Sequence, residues 1–411
     1  MADSRRFVIV GASLAGAKAA ETLRKEGFEG AVTLIGSESH RPYERPPLSK
    51  EYLQGRSPRD KVFVHEENFY GDNDIELLSS TTVTTLDADK GEVILDSGAT
   101  LAFDACLLAT GAEPRRLGVP GSDLAGIHYL RTIDDSERLR EAIQSASSVA
   151  VIGAGWIGCE VAASARQLGA EVSIVESFSV PLERVLGQEL GRFYAGVHAD
   201  HGVQLHMGAG VSELRGGSSV EEVVLDNGQR IPADLVVAGI GVSPRTALAS
   251  DAGLTVESGV VTDSYLATSK SGIFAAGDVA DAWHPLFNRR VRLEHWSSAL
   301  NQGPTAALNM LGKATPYDRV RYFFSDQYEV GMEYSGLGQG SDQVVFRGDP
   351  GSREFIAFWV RDSIVVAGVN VNVWDVNPQI ADLVAARLIV DQDQLADPDV
   401  DLSVLAAGKQ A

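Results

Sequence analysis

A run of four apolar residues, Phe7 to Val10, passes directly into Gly11, and an alanine-rich stretch follows from Leu14. A short β-branched run closed by glycine and followed by helical spacing predicts a strand, a tight turn and a helix. The same succession recurs at Val149 to Ile152, Gly153 and the stretch from Trp156. Second strands are predicted over 31–36 and 172–176, completing a βαβ unit in each place. Farther on, an Asp-Ser-Gly and an Asp-Asn-Gly turn each lead into a buried apolar strand, expected to end at Thr110-Gly111 and at Ile240-Gly241. From residue 320 the pattern changes. Aromatic strands at 322–325 and 355–360 and a helix at 378–388 predict an α+β region.

Self-comparison explains the recurrence. Glu92 to Arg115 aligns with Glu222 to Arg245 at a shift of 130 positions, with nine of 24 residues identical. Phe7 to Gly16 aligns with Val149 to Gly158 at a shift of 142. Two copies of one nucleotide-binding unit are therefore expected. The fold class that follows is α/β, with two Rossmann-like dinucleotide-binding domains and a C-terminal α+β domain.

Composition narrows the function classes. The length of 411 residues favours two to four domains. A formal charge of −21 makes nucleic acid and anionic membrane poor partners. Cys106 and Cys159, 53 positions apart in apolar stretches, make neither a disulfide framework nor a CxxC pair, which fits a reducing compartment. The N-terminal apolar run is too short for a signal-peptide core, and no run approaches the length that spans a bilayer. A soluble, cytoplasmic protein is expected.

In the second copy Gly153, Gly155 and Gly158 complete the pattern G-x-G-x-x-G. The first glycine permits the tight turn, the second admits a pyrophosphate to the backbone, and the third packs helix on strand. Glu176 closes the next strand, where a carboxylate accepts hydrogen bonds from an adenosine ribose. The first copy has Gly11, Ser13 and Gly16, so serine replaces the second glycine; its hydroxyl is small enough to sit beside a pyrophosphate and can donate to it. Glu38 stands in the ribose-binding place. His198, His201 and His206 resemble a metal cluster, but their stretch runs from a helix end into a strand and need not face one point, so no metal is expected.

At Arg41 to Lys50, RPYERPPLSK, the chain resembles the FAD-dependent pyridine nucleotide-disulfide reductase superfamily, and within it the ferredoxin reductases of bacterial oxygenase systems. Further motifs agree in order: Ala109-Thr110-Gly111, GAGWIGCEVAA from Gly153, GIGVSP from Gly239, GIFAAGDV from Gly272, Glu294-His295-Trp296 and YFFSDQY from Tyr322. The resemblance implies a glutathione-reductase-like architecture in which an NADH domain, 114–241, is inserted in an FAD domain, 1–113 with 242–319, followed by a C-terminal domain, 320–411. It places Gly11, Ser13, Gly16, Glu38, Thr110 and Gly111 on noncovalent FAD, Arg45 and Lys50 on the flavin side, and Asp278 on a ribityl hydroxyl. Asp278 is alternatively a helix N-cap. Gly153, Gly155, Gly158, Glu176, Arg184 and Gly241 would take NADH as substrate.

By the same resemblance Lys50 sits beside the flavin and pairs with Glu160, which puts positive charge where negative charge builds up; two unrelated surface charges are the alternative. Trp296 would pack near the isoalloxazine or serve as core aromatic surface, while His295 is expected to be structural. The redox cysteine of the disulfide reductases would fall near Leu48, and neither cysteine here matches it. Electrons would then leave by outer-sphere transfer to a 2Fe-2S ferredoxin, in preference to rubredoxin, feeding a haem monooxygenase or a Rieske dioxygenase. Arg289, Arg290 and Arg292 would steer that acidic partner, or form a solvated turn. The competing readings are a rubredoxin reductase, an NADH oxidase, and a redox-sensing binding protein; the chain would act as a monomer or homodimer. The aspartates from Asp391 to Asp401 are read as a solubilising tail.

Overall fold

The computed structural model describes residues 3–339 and 342–408; the outermost residues of the first and last expected domains, 1–2 and 409–411, lie outside the described residues. Backbone contacts divide the chain into two units. One comprises residues 1–44, 59–113 and 242–319, the other 45–58, 114–241 and 320–411.

The first unit is built on a parallel five-stranded sheet in the order Ile273–Ala275, Ala105–Leu108, Arg6–Val10, Ala31–Ile35, Ile75–Leu78. Parallel sheets are covered on both faces, so their strands read as unbroken apolar runs. The strand Arg6–Val10 shows why: Phe7 and Ile9 enter one hydrophobic cluster, Val8 and Val10 another. The helices Leu14–Lys25 and Trp296–Met310 pack together through alanines such as Ala15, Ala19, Ala306 and Ala307, whose small side chains allow close approach.

The second unit repeats the plan. Its parallel sheet runs Gln204–Met207, Glu171–Glu176, Ser148–Ile152, Leu235–Ala238, Ile127–His128. The helix Trp156–Gln167 has the same 12-residue length as Leu14–Lys25 and starts 142 positions later. Each unit also carries a three-stranded antiparallel sheet, and Thr100–Ala102 and Arg230–Pro232 stand 130 positions apart within them. The buried strands close at Leu108 and Ala238, earlier than the expected Thr110-Gly111 and Ile240-Gly241. Beyond them Gly111 and Gly241 turn at positive φ, 68° and 97°, which breaks extended pairing.

The C-terminal segment forms a five-stranded antiparallel sheet, Tyr322–Gln327, Val330–Gly336, Ile364–Val371, Glu354–Arg361, Gln343–Asp349. The helix Asn377–Ala386 ends where Arg387 turns left-handed at φ 52°. This sheet shares one hydrophobic cluster with the parallel-sheet part of its unit: Phe323, Tyr334 and Trp359 pack with Leu53, Leu190 and Tyr194. The acidic tail is not merely solvating, because Asp391 and Asp401 cap two short helices with their side chains. Among the described residues no helix is long and apolar enough to cross a membrane.

Trp359 has no exposed surface and sits in the shared cluster. Trp359→Ala is therefore expected to lower unfolding stability by about 3–5 kcal/mol, the usual cost of emptying a buried tryptophan site. Chemical denaturation followed by circular dichroism checks it.

Candidate functional site

In the first unit the strand Arg6–Val10 delivers the chain into Gly11 at φ 120°, where a Cβ would lie 2.0 Å from the Ala109 carbonyl oxygen. Gly16 packs equally tightly, with a Cβ 2.1 Å from the Gly11 carbonyl oxygen. Ser13 is the N-cap of the helix Leu14–Lys25, yet its hydroxyl makes no hydrogen bond to that helix. The positive end of a helix is a place that suits an anion. Glu38 follows the second strand and accepts a hydrogen bond from the Tyr43 hydroxyl. These features fit the pyrophosphate and ribose of a dinucleotide.

The second unit has the same geometry with an open centre. Cβ atoms at Gly153 and Gly158 would clash with the Gly239 and Gly153 carbonyl oxygens at 2.5 and 1.9 Å. At Gly155 a Cβ would meet no atom within 4 Å. Gly155 thus caps the helix Trp156–Gln167 with space in front of it, the cradle a pyrophosphate fills. The Glu176 carboxylate braces the turn: Oε2 accepts from the Ala154 amide at 2.7 Å, Oε1 from the Ser177 hydroxyl at 2.9 Å and the Phe178 amide at 3.0 Å. The exposed ring of Phe178, which sequence reasoning missed, lies two residues beyond this acid.

A buried charge pair lies in the same unit. Lys50 Nζ stands 3.0 Å from Glu160 Oε2, and the two side chains are only 7% and 4% exposed. Lys50 follows the short 3-10 helix Pro46–Ser49, and its Nζ also donates to the Pro46 carbonyl at 3.2 Å. Phe324 places its ring centroid 5.4 Å from the ammonium. Segment 45–58 is pinned by the Ser136 hydroxyl donating to Leu48 O at 2.8 Å and the Ser164 hydroxyl donating to Ser49 O at 2.7 Å. The Glu160 carboxylate accepts from the hydroxyls of Ser49 and Ser325, the latter at 2.7 Å on Oε1. Ser325 in turn leads to Gln327 at 3.3 Å, and Gln327 to the buried imidazole of His198 at 2.9 Å.

The remaining predicted positions are dispersed over the two units. In the first, Thr110 donates its hydroxyl to Arg245 O at 2.9 Å, and Trp296 opens the helix Trp296–Met310. Burial raises the pKa of Glu44, and a hydrogen bond from Trp296 opposes the rise. Asp278 lies within the 3-10 turn Gly277–Val279, and Ala276 is the N-cap there, so the capping alternative for Asp278 is corrected. The three arginines do not form an open cationic patch. Arg290 pairs with Glu257 at 2.7 Å and Arg292 with Glu294, while Arg289 is exposed and makes no ion pair among the described residues.

In the second unit, Arg45 donates to the Arg131 carbonyl, and Arg184 is exposed in the first turn of the helix Glu183–Asp200. His198, His201 and His206 have separate partners in Gln327, Glu329 and Gln229. Both cysteines are free and fully buried; burial pushes the Cys106 thiol up to about 12 and the Cys159 thiol higher still. Neither can supply a thiolate near neutral pH.

Comparison with known proteins extends these observations over the whole chain. Residues 5–303 match the pyridine nucleotide-disulphide oxidoreductase family, and residues 322–406 match a reductase C-terminal family. Rhodocoxin reductase of Rhodococcus erythropolis is 37% identical over 402 residues, covering 98% of this chain and 94% of that protein. Putidaredoxin reductase of Pseudomonas putida is 36% identical over 410 residues, covering 98% and 97%. The crystal structure of a ferredoxin reductase from Rhodopseudomonas palustris superimposes with a TM-score of 0.95 at 36% identity, covering 98% of this chain and all of that one. The covalent putidaredoxin reductase–putidaredoxin complex matches with the same TM-score at 35% identity, with both chains covered completely.

Burial lowers the His198 pKa from 6.5 to about 4, against the opposing hydrogen bond with Gln327. A histidine depressed on folding contributes stability that is complete above its unfolded pKa and is lost as pH falls from 6.5 to about 4, on the order of 3 kcal/mol in full. His65, His128 and His284, also lowered chiefly by burial, act in the same direction. Urea unfolding at pH 7 and pH 5 should show the loss, and His198→Gln should flatten the slope between them.

Proposed function

Because the chain belongs to the pyridine nucleotide-disulphide oxidoreductase family, we propose that it is an NADH-dependent ferredoxin reductase serving a haem monooxygenase or a Rieske dioxygenase. The observation that carries this reading is that a chain with two dinucleotide-binding turns has both of its cysteines buried and inert, Cys106 on the strand Ala105–Leu108 and Cys159 inside the helix Trp156–Gln167. Disulfide reductases pass electrons through a reactive thiol beside the flavin. Here buried Leu48 stands at the corresponding place, and no thiol in the sequence can take that part. Electrons from NADH must then pass to an external acceptor. The relatives named above, reductases of ferredoxin-type proteins matched over nearly their whole length, support the same acceptor class.

In this reading Gly11, Ser13, Gly16, Glu38, Thr110, Gly111, Asp278 and Trp296 hold FAD, with 1–113 and 242–319 as its domain. Gly153, Gly155, Gly158, Glu176, Arg184 and Gly241 hold NADH within 114–241, and Phe178 offers its exposed face to the adenine. FAD supplies the conversion of a two-electron donor into single electrons for a 2Fe-2S acceptor. Arg45, Lys50 and Glu160 are assigned to the flavin side on the strength of the family motifs. With two of the three arginines already paired, Arg289 is the one left to attract an acidic ferredoxin. The reading includes a cytoplasmic location, which two buried, unlinked cysteines and an NADH substrate support.

Purified protein is expected to be yellow with one noncovalent FAD, and Lys50→Met is expected to slow flavin reduction by NADH far more than it weakens FAD retention. Colourless protein that cannot be reconstituted, or an unchanged rate of reduction, would count against the assignment. Coenzyme choice follows from Glu176, whose carboxylate repels a 2′-phosphate while Ser177 to Glu183 offer no lysine or arginine to neutralise one. The expected kcat/KM preference for NADH over NADPH is roughly a hundredfold or more. Glu176→Ala should erode most of it through weaker NADH binding, and steady-state kinetics with both coenzymes decides the matter.

A further inference from the structure

The hydrogen bonds behind Lys50 have a direction that can be deduced link by link. An ionised Glu160 only accepts, so the Ser325 hydroxyl must donate its single hydrogen to Oε1. The Ser325 oxygen is then the acceptor for the Gln327 amide nitrogen at 3.3 Å. That orientation turns the Gln327 carbonyl oxygen toward His198 Nε2, 2.9 Å away, and a carbonyl oxygen requires a donor. His198 must therefore carry its hydrogen on Nε2. Its Nδ1 is left to accept from the Tyr328 hydroxyl at 3.4 Å.

Every side chain in the chain of bonds from His198 to Glu160 is removed from water. His198 is 0% exposed, Gln327 and Ser325 1% each, and Glu160 4%. In such surroundings a broken link leaves a polar group without a partner, and the loss is transmitted to the next group in line. His198 lies near the end of the helix Glu183–Asp200, Gln327 and Ser325 on the strand Tyr322–Gln327, and Glu160 on the helix Trp156–Gln167. The groups that face His198 are Gln327, Tyr328 and His201, the last stacked on the Tyr328 ring at 3.7 Å and paired with Glu329 at 3.0 Å.

We propose that His198 is a positioning residue for Lys50: as its Nε2–H tautomer it begins a one-way series of donors, through Gln327 and Ser325, that fixes the carboxylate holding the Lys50 ammonium. The effect on turnover rests on the reductase reading given above, whereas the tautomer does not. His198 touches neither coenzyme in this scheme. It acts on the orientation of Glu160 and so on the place of the ammonium.

Imidazole 15N shifts of the FAD-loaded protein read the tautomer directly, and the Nε2–H form is expected at pH 7. An Nδ1–H form would overturn the proposal whatever the protein's activity. Single-turnover reduction by NADH supplies the second arm. His198→Leu should slow reduction about tenfold, the size of one hydrogen bond removed from a buried acceptor, with the NADH dissociation constant unchanged. His198→Gln, which keeps a donor in the place of Nε2, should recover most of the rate. Should His198→Leu fail to fold, Ser325→Ala cuts the last link by removing a single oxygen and should slow reduction comparably. The His198→Leu/Ser325→Ala double variant should be no slower than the worse single one, because both break one series. Multiplicative rate losses, or a weakened NADH affinity as the main effect, would overturn it. Failure of the reductase reading would show separately, as protein that binds no FAD.

Discussion

A lysine ammonium almost wholly withdrawn from water must be compensated nearby, and the second unit is organised around that requirement. Removing one member of a buried ion pair typically costs about 3–5 kcal/mol, because the survivor keeps its desolvation penalty. Lys50 is met by Glu160, a distance of 110 positions in the sequence, and Glu160 is met by Ser49 and Ser325 from either side. Three stretches of chain thus converge on one carboxylate. This convergence accounts for the place of residues 45–58, which lie between two parts of the first unit in sequence yet belong to the second.

The duplicated turns show how one backbone solution accommodates different second positions. The first and third glycines of each turn are held by contacts to carbonyl oxygens at distances no side chain tolerates, so they are fixed by packing. The middle position faces space and is constrained only by what must fit there. Glycine at 155 leaves the opening clear, and serine at 13 adds a hydroxyl that the helix itself does not use. The variation falls where the fold has no steric demand.

The periodic features of this chain were legible because they are local. The strand-turn-helix starts, the internal shifts of 130 and 142 and the aromatic strands after residue 320 depend on near neighbours and on repetition. The buried strands close two residues before the expected Thr110 and Ile240, at Leu108 and Ala238, because their partners Val10 and Ile152 are the last residues before the neighbouring strand turns away at Gly11 and Gly153. Ser325 and Gln327 stand in YFFSDQY, a motif that gives them no role of their own, and the spacing of His198, His201 and His206 points only to a metal cluster. Their connection spans 129 and 165 positions, and nothing in sequence spacing reports it. The arginines near residue 290 show a related limit. Counting charges along a segment ignores Glu257, which the fold brings to Arg290 from 33 residues away.

The hydrophobic cluster shared by the C-terminal sheet and the parallel-sheet part of its unit also bears on how such proteins diversify. Phe323, Tyr334 and Trp359 interlock with Leu53, Leu190 and Tyr194, and the buried bonds from Ser325 to Glu160 and from His198 to Gln327 cross the same contact. Grafting the last ninety residues from a cousin would require simultaneous matching of shapes on both sides of that contact. The covalent crossings near residues 113 and 241, by contrast, coincide with the border between units. Lineages should therefore inherit the second unit's pieces as a linked block, with partner preference changing through surface residues rather than by exchange of the terminal segment.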